Sequence, residues 1–325
     1  MIASLRAGLT AASVALFLAA SPALSSPQSD RAGLVRLQTE DLRLQAIGWR
    51  LAQGNAPFCE TRPAIGLLLQ DMANYAEPAR MRVAVGITGD IAVQAVVPDG
   101  PAARAGLAAN DEILAIGDRS MGELPKVKAG DWTRLTSLHD TIDATLANSG
   151  TVRIAWRAAA DERLREETIA GTSICPSRYE LLDGGSRAIA DGKRVLIGRK
   201  FAGFEYAEDE IAAAVAHELA HNLLAHKLWL RSVGRKLTTI RTSEREADRL
   251  MPWLLANAGY DPRAAIRFFE RWGPSNGGGI FRARTHDGWD ERVDLVRSEL
   301  PQIEELMASE RAADWRTHFR RDTGR

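Results

Sequence analysis

The stretch "IAAAVAHELAHNLLAH", residues 211–226, holds three of the chain's six histidines. His217 and His221 are four apart, so on a helix they share one face, one turn apart, and can present two imidazoles to a single ion. Glu218 lies beside them, where its carboxylate can reach a metal-bound water. The neighbours Ala212, Ala213, Ala214, Val215, Ala216, Leu219 and Ala220 suit a buried helix. His226 stands five beyond His221, a spacing that carries it off the shared face, so it is not counted as a ligand. Catalytic zinc takes three protein ligands and keeps one position open for water. The third is expected downstream in "RTSEREADRL", where Thr242 or Ser243 can N-cap a helix carrying Glu244, Glu246 and Asp248. Glu244 and Asp248 share a helical face, so one can bind metal while the other orients a ligand histidine. Alone, the acidic stretch reads as a solvated helix face, and the histidines as ordinary members of an amphipathic helix. Together they argue for a metal site.

A chain of 325 residues is long enough for two or three domains with their own cores. Its 42 basic and 42 acidic residues cancel and no basic block stands out, which points away from nucleic acid and from electrostatic adhesion to membranes. Arg6, the apolar run "LTAASVALFLAA" and the small residues of "SPALSS" read as an export signal over residues 1–25, cleaved near Ala23 or Ser25. The run falls short of the ~20 residues a spanning helix needs. The mature chain is expected to be soluble and secreted across the inner membrane, periplasmic in a Gram-negative source, with no stable membrane insertion once the signal is cleaved. Cys59 and Cys175 are the only cysteines. In an oxidising compartment an even pair suggests one disulfide, two buried free thiols being the alternative.

Apolar spacing from Leu34 to Leu51 predicts a helix over 31–53, followed by an irregular, proline-broken "APFCETRPAIGLLLQ". "MRVAVGIT", "IAVQAVVP", "DEILAIGD", "TVRIAWRA" and "RLREETIA" read as strands, and "TSLHDTIDATLANSG" as a helix closed near Gly150. "RAIADGKRVLIGRKF" reads as a hairpin. Helical patterns then run to a charged terminal helix with a frayed tail.

"IAVQAVVPDGPAARAGLAANDEILAIGD" resembles the core of an HtrA-type PDZ domain, with Asn110 where that family often has Gly and a long connection over 119–134. The resemblance implies binding of extended peptides, often C-termini, by strand addition at a sheet edge. It places the carboxylate-binding loop at Val85, Gly86 and Ile87. A PDZ fold that only braces its neighbour is the alternative.

His217, Glu218 and His221 with Glu244, Ala247 and Asp248 resemble the His-Glu-x-x-His and Glu-x-x-Ala-Asp motifs of the zinc peptidases HtpX, BepA and the CAAX prenyl endopeptidases, metallopeptidase family forty-eight of the gluzincins. "SRAIADGKRVLIGRKF" is similar to that family's Asn-Ala-Phe-Ala hairpin, with Ser186-Arg187-Ala188 at its start. "GYDPRAAIRFFERW" resembles its following helix. "THDGWDERV" resembles its Thr-His-Pro-x-x-x-x-Arg element, with Asp287 in place of Pro. The implied fold class is α+β: a mainly helical gluzincin domain with a small β-sheet, and an inserted PDZ domain of β-sandwich type. The implied boundaries are 28–78 for the N-terminal helical part, 79–170 for the PDZ domain, 171–300 for the peptidase core and 301–325 for the C-terminal helix and tail. The resemblance implies one zinc on His217, His221 and Glu244, Glu218 as general base, Asp248 behind the ligands, and His286 and Arg292 stabilising the oxyanion or holding the site together. Zinc would polarise the scissile carbonyl and acidify its water, and Glu218 would move the proton. The strand at 193–199 is the expected edge for protein or peptide substrates. The rival expectation is a PDZ-based periplasmic binding protein or chaperone with a latent or structural zinc site.

Overall fold

The computed structural model describes residues 27–276 and 286–322, so the expected export signal over 1–25 lies outside the described residues. Helix α1 (Pro27–Gly54) starts four residues before the expected helix and buries Leu34, Leu44, Ile47, Leu51 and Ala52. Gly48 lets it pass against a neighbouring ring: a Cβ there would sit 2.3 Å from Tyr179.

The chain then enters an insertion. Its elements are β1 (Arg62–Ala64), β2 (Leu67–Asp71), α2 (Pro78–Val85), β3 (Ile91–Val96), the single-turn α3 (Pro101–Arg104), β4 (Glu112–Ile116), the short β5 (Arg119–Ser120), α4 (Thr133–Ser149), β6 (Thr151–Arg157), β7 (Leu164–Ala170) and β8 (Thr172–Ile174). One antiparallel sheet runs β2-β3-β4-β6-β7, with β5 on β4. Its apolar face, including Val93, Ile113, Ile154 and Trp156, packs with Leu138, Ile142 and Leu146 of α4. Gly150 stops α4 at φ +73°, as its position predicts. Asn110 takes φ +70°, a conformation asparagine tolerates where glycine is common.

Two expectations fail here. "MRVAVGIT" is not a strand but mostly α2: Pro78 opens the helix and Gly86, at φ +78°, closes it. Between them only Val83 and Val85 are β-branched, and the rest are good helix formers. The sheet also begins at Leu67, well before residue 79, because β2, dismissed as irregular, pairs with β3.

The ends of the insertion meet. β1 pairs antiparallel with β8, Arg62 opposite Ile174, and Cys59 and Cys175 form a disulfide just outside that pair, with Cα atoms 5.7 Å apart. The bond closes a separation of 116 residues. A loop of that length corresponds to roughly 4–5 kcal/mol of lost unfolded-state freedom in the chain-entropy account. Reduction, or Cys59→Ser with Cys175→Ser, is therefore expected to lower the urea midpoint substantially. An unchanged midpoint, or two free thiols in unreduced, denatured protein, would refute this.

The remaining chain forms β9 (Arg178–Leu182), β10 (Ala188–Ala190), β11 (Arg194–Gly198) and helices α5 (Glu208–Leu223), α6 (His226–Val233), α7 (Leu237–Asn257), α8 (Ala264–Asn276), α9 (Trp289–Ser309) and α10 (Trp315–His318). The three strands lie in the order β10-β11-β9. The strand at 193–199, expected at the edge, is central: β11 pairs β10 on one side and β9 on the other. β10 is the edge. Helix α1 packs on α5, α7 and β9 and belongs to this body, so the insertion interrupts it.

The terminal tail, expected to fray, is part of the core: Ala313, Trp315 and Phe319 join the same cluster as Leu51, Leu219 and Trp253. Asn55, fully buried at the end of α1, ties the pieces together. Its amide donates to Leu51 O and Leu254 O at 2.9 and 3.0 Å, and its oxygen accepts from Asn257 Nδ2 and Trp315 Nε1, both at 3.0 Å.

Candidate metal centre and peptide grooves

Helix α5 opens with Glu208, Asp209 and Glu210, which complement its positive end, and then runs through small residues that let it lie buried. His217 and His221 leave one face, with Nε2 atoms 3.2 Å apart. α7 brings Glu244 Oε2 to 3.3 Å from His217 Nε2 and 3.5 Å from His221 Nε2. Tetrahedral ligands at the usual zinc distances stand about 3.3 Å from one another. The donor types and their mutual spacing therefore fit zinc. Glu218 lines the same cleft, about 430 Å³, together with β10 residues Ala188, Ile189 and Ala190.

The electrostatics suit a cation. Burial works against charging His217, but Asp248 and Glu244 outweigh it and push its pKa up to about 10. Burial likewise opposes ionisation of Glu244, yet His221, His217 and His286 hold its carboxyl well below the usual range.

Each of the two histidines is held from behind. His217 Nδ1 lies 2.9 Å from Asp248 Oδ1, and Arg292 donates to both Asp248 oxygens at 2.7 and 2.6 Å. Arg292 is buried, with its guanidinium 4.2 Å above the Phe269 ring. Bound to both oxygens of Asp248, it holds the site together, one of the two roles the resemblance implied for it. His286 does face the cleft, with Nε2 2.8 Å from Glu244 Oε2. Asp287, standing where proline was expected, fixes this loop to α7 by accepting from Arg245 at 2.5 and 3.1 Å.

His226 was not counted as a ligand, and it does not join the donor atoms that meet at the candidate metal position, but it stands directly behind them. α5 ends at Leu223, Ala225 takes φ +53°, and a new helix begins at His226, so the wheel does not carry across. His226 Nδ1 lies 2.8 Å from His221 Nδ1, and its Nε2 lies 2.9 Å from Glu246 Oε2. Arg321 donates to the same oxygen at 3.1 Å. With His221 Nε2 turned to the metal position, its Nδ1–H must donate, so His226 accepts at Nδ1 and donates from Nε2 to Glu246. Burial lowers the His226 pKa to about 4 and keeps it neutral, as that role needs. His226→Ala is expected to weaken zinc about 10–100-fold, read by competition with a chromophoric chelator. Unchanged affinity would refute the relay. The sequence signal was a third histidine next to the motif and a second acid, Glu246, next to Glu244.

The insertion offers a second groove. Val85 and Gly86 end α2, and Ile87 is buried with Met72 and Ala92, leading into β3. β3 already has β2 and β4 as neighbours, so no peptide can add there, and these residues are not a carboxylate loop. Of the sheet's two end strands, β7 and β2, the second is entered through Gly66 at φ +69°. It faces α4, whose buried His139 accepts from Leu69 N at 3.3 Å. A cavity of about 380 Å³ lies between β2, α4 and β9, lined by Leu68, Leu69, Leu135 and Leu181. "AIGLLLQ" carried this signal.

No curated protein sequence matches the chain. Residues 93–129, from β3 through the connection after β5, match the PDZ domain family, so the insertion contains a PDZ domain, a module for binding protein partners or substrates.

Proposed function

We propose that this chain is an exported, soluble, zinc-dependent endopeptidase of the metallopeptidase family forty-eight type, whose PDZ domain recruits or gates protein substrates in envelope quality control. The observation that carries the reading is the convergence of His217, His221 and Glu244 at zinc-ligand spacing in a cleft that also holds Glu218. The disulfide and the signal-like residues 1–25 support export. Bound zinc supplies polarisation of a carbonyl and acidification of water. Glu218 takes the proton of the attacking water and passes it to the leaving amine. His286, which faces the same cleft, donates to the developing oxyanion. The free edge of β10 aligns an extended substrate through its backbone, which makes sequence preference loose. Casein digestion by the mature chain, its loss on chelation and its return with zinc would test this. Hydrolysis indifferent to zinc would overturn it.

The second reading is a PDZ-based binding protein or chaperone with a latent or structural zinc site. One observation favours it: His217, Glu244 and His286 can place donor atoms within 4.8 Å of one another, so His286 can fill the fourth position. His286→Ala separates the two. Hydrolysis should fall if His286 serves the oxyanion, and rise if it blocks the metal.

A further inference from the structure

The chain-wide balance of charge hides a local segregation. Residues 219–243 contain no Asp or Glu but carry Lys227, Arg231, Arg235, Lys236 and Arg241. α6 turns His226 and Leu230 inward, and its opposite face presents Lys227, Leu228 and Arg231. Leu228 is 65% exposed, Val233 42% and Leu237 40%, three bare aliphatics interleaved in sequence with these cations. Among the described residues no carboxylate pairs with Arg231, Arg235 or Lys236. The same segment borders the metal cleft, which Lys227 and Arg235 help to line.

We propose that α6 and the turn into α7 dock on an anionic lipid bilayer, setting the mouth of the cleft against the membrane surface. Cations near such a surface are attracted to its phosphates, while short aliphatic side chains enter the headgroup layer. An acidic protein would satisfy the cations but would give three exposed aliphatics no reason to stand among them. That favours a bilayer as the occupant. No described helix is long and apolar enough to cross one, so the contact is peripheral.

The test is sedimentation of the mature chain with sucrose-loaded vesicles of phosphatidylcholine, with and without about a quarter phosphatidylglycerol. The parent should bind the anionic vesicles at least about tenfold more tightly than the neutral ones, and lose this in high salt. Arg231→Glu with Lys236→Glu should remove at least about tenfold, and Leu228→Asp should weaken binding with every cation intact. Near-UV circular dichroism checks that each variant is folded. Absence of binding by the parent, or equal binding by parent and variants, overturns the proposal. So do variants that bind vesicles normally but no longer digest casein, since the patch would then grip acidic protein. The sedimentation readout does not depend on hydrolysis, so it stands or falls apart from the peptidase reading.

Discussion

Glu218→Gln is expected to lose about a thousandfold in hydrolysis of an unfolded protein while keeping its zinc, because general-base catalysis is worth 10²–10⁴. The side chain lines the cleft beside His217 but makes none of the close contacts that join His217, His221 and Glu244. Glutamine has the same shape and leaves no cavity, so the effect falls on proton transfer and not on folding. The check is casein digestion by parent and variant, with zinc determined on both by atomic absorption. Full activity in the variant would sink the mechanism. Lost zinc would make Glu218 a ligand and require the other three to be reassigned.

The second large effect concerns the end of the chain. If a C-terminal segment covered the zinc, trimming it should raise activity. The packing predicts the reverse. Ending the chain at Ser309 removes Ala313, Trp315 and Phe319 from the main core and leaves Asn55 without the Trp315 donor. It also takes Arg321 from Glu246, a fully buried carboxylate. Loss of a large core aromatic costs about 3–5 kcal/mol, and two are lost here, while Glu246 keeps His226 but loses its cation. Together they approach the whole stability of an ordinary domain, about 5–15 kcal/mol. The truncated chain should be insoluble or zinc-free. Arg321→Ala alone should fold and bind zinc more weakly through His226 and His221. A soluble truncated chain with raised hydrolysis would overturn this and make the tail a cover.

What the sequence showed and what it hid divide along one physical line. His217, His221, Glu244 and Asp248 were legible because each pair lies within a single helix, where spacing fixes direction. His226 was hidden by the left-handed Ala225, which resets that geometry. Thr242 and Ser243 looked like caps but lie inside α7, which begins at Leu237. Their hydroxyls bond back to Thr238 O and Ile240 O at 3.1 and 2.7 Å, which is how such residues are tolerated mid-helix. Arg292 and Arg321 reach their carboxylates across separations of 44 and 75 residues, which no local pattern reports. The same holds for β11, whose parallel neighbour β9 made it central, and for β2, whose apolar run between prolines acquires meaning only beside β3.

Asn55 also sets a timetable. A chain is made from its N-terminus onward. The PDZ insertion can close as soon as Cys175 is available, since its strands pair among themselves and its ends are locked by one bond. α1 emerges earlier, yet the partners that Asn55 needs stand 199, 202 and 260 positions from it. The PDZ domain is thus finished while the body that holds the candidate metal centre is still missing its last pieces. A chain interrupted on the way would carry a finished PDZ domain on a body that has not yet closed.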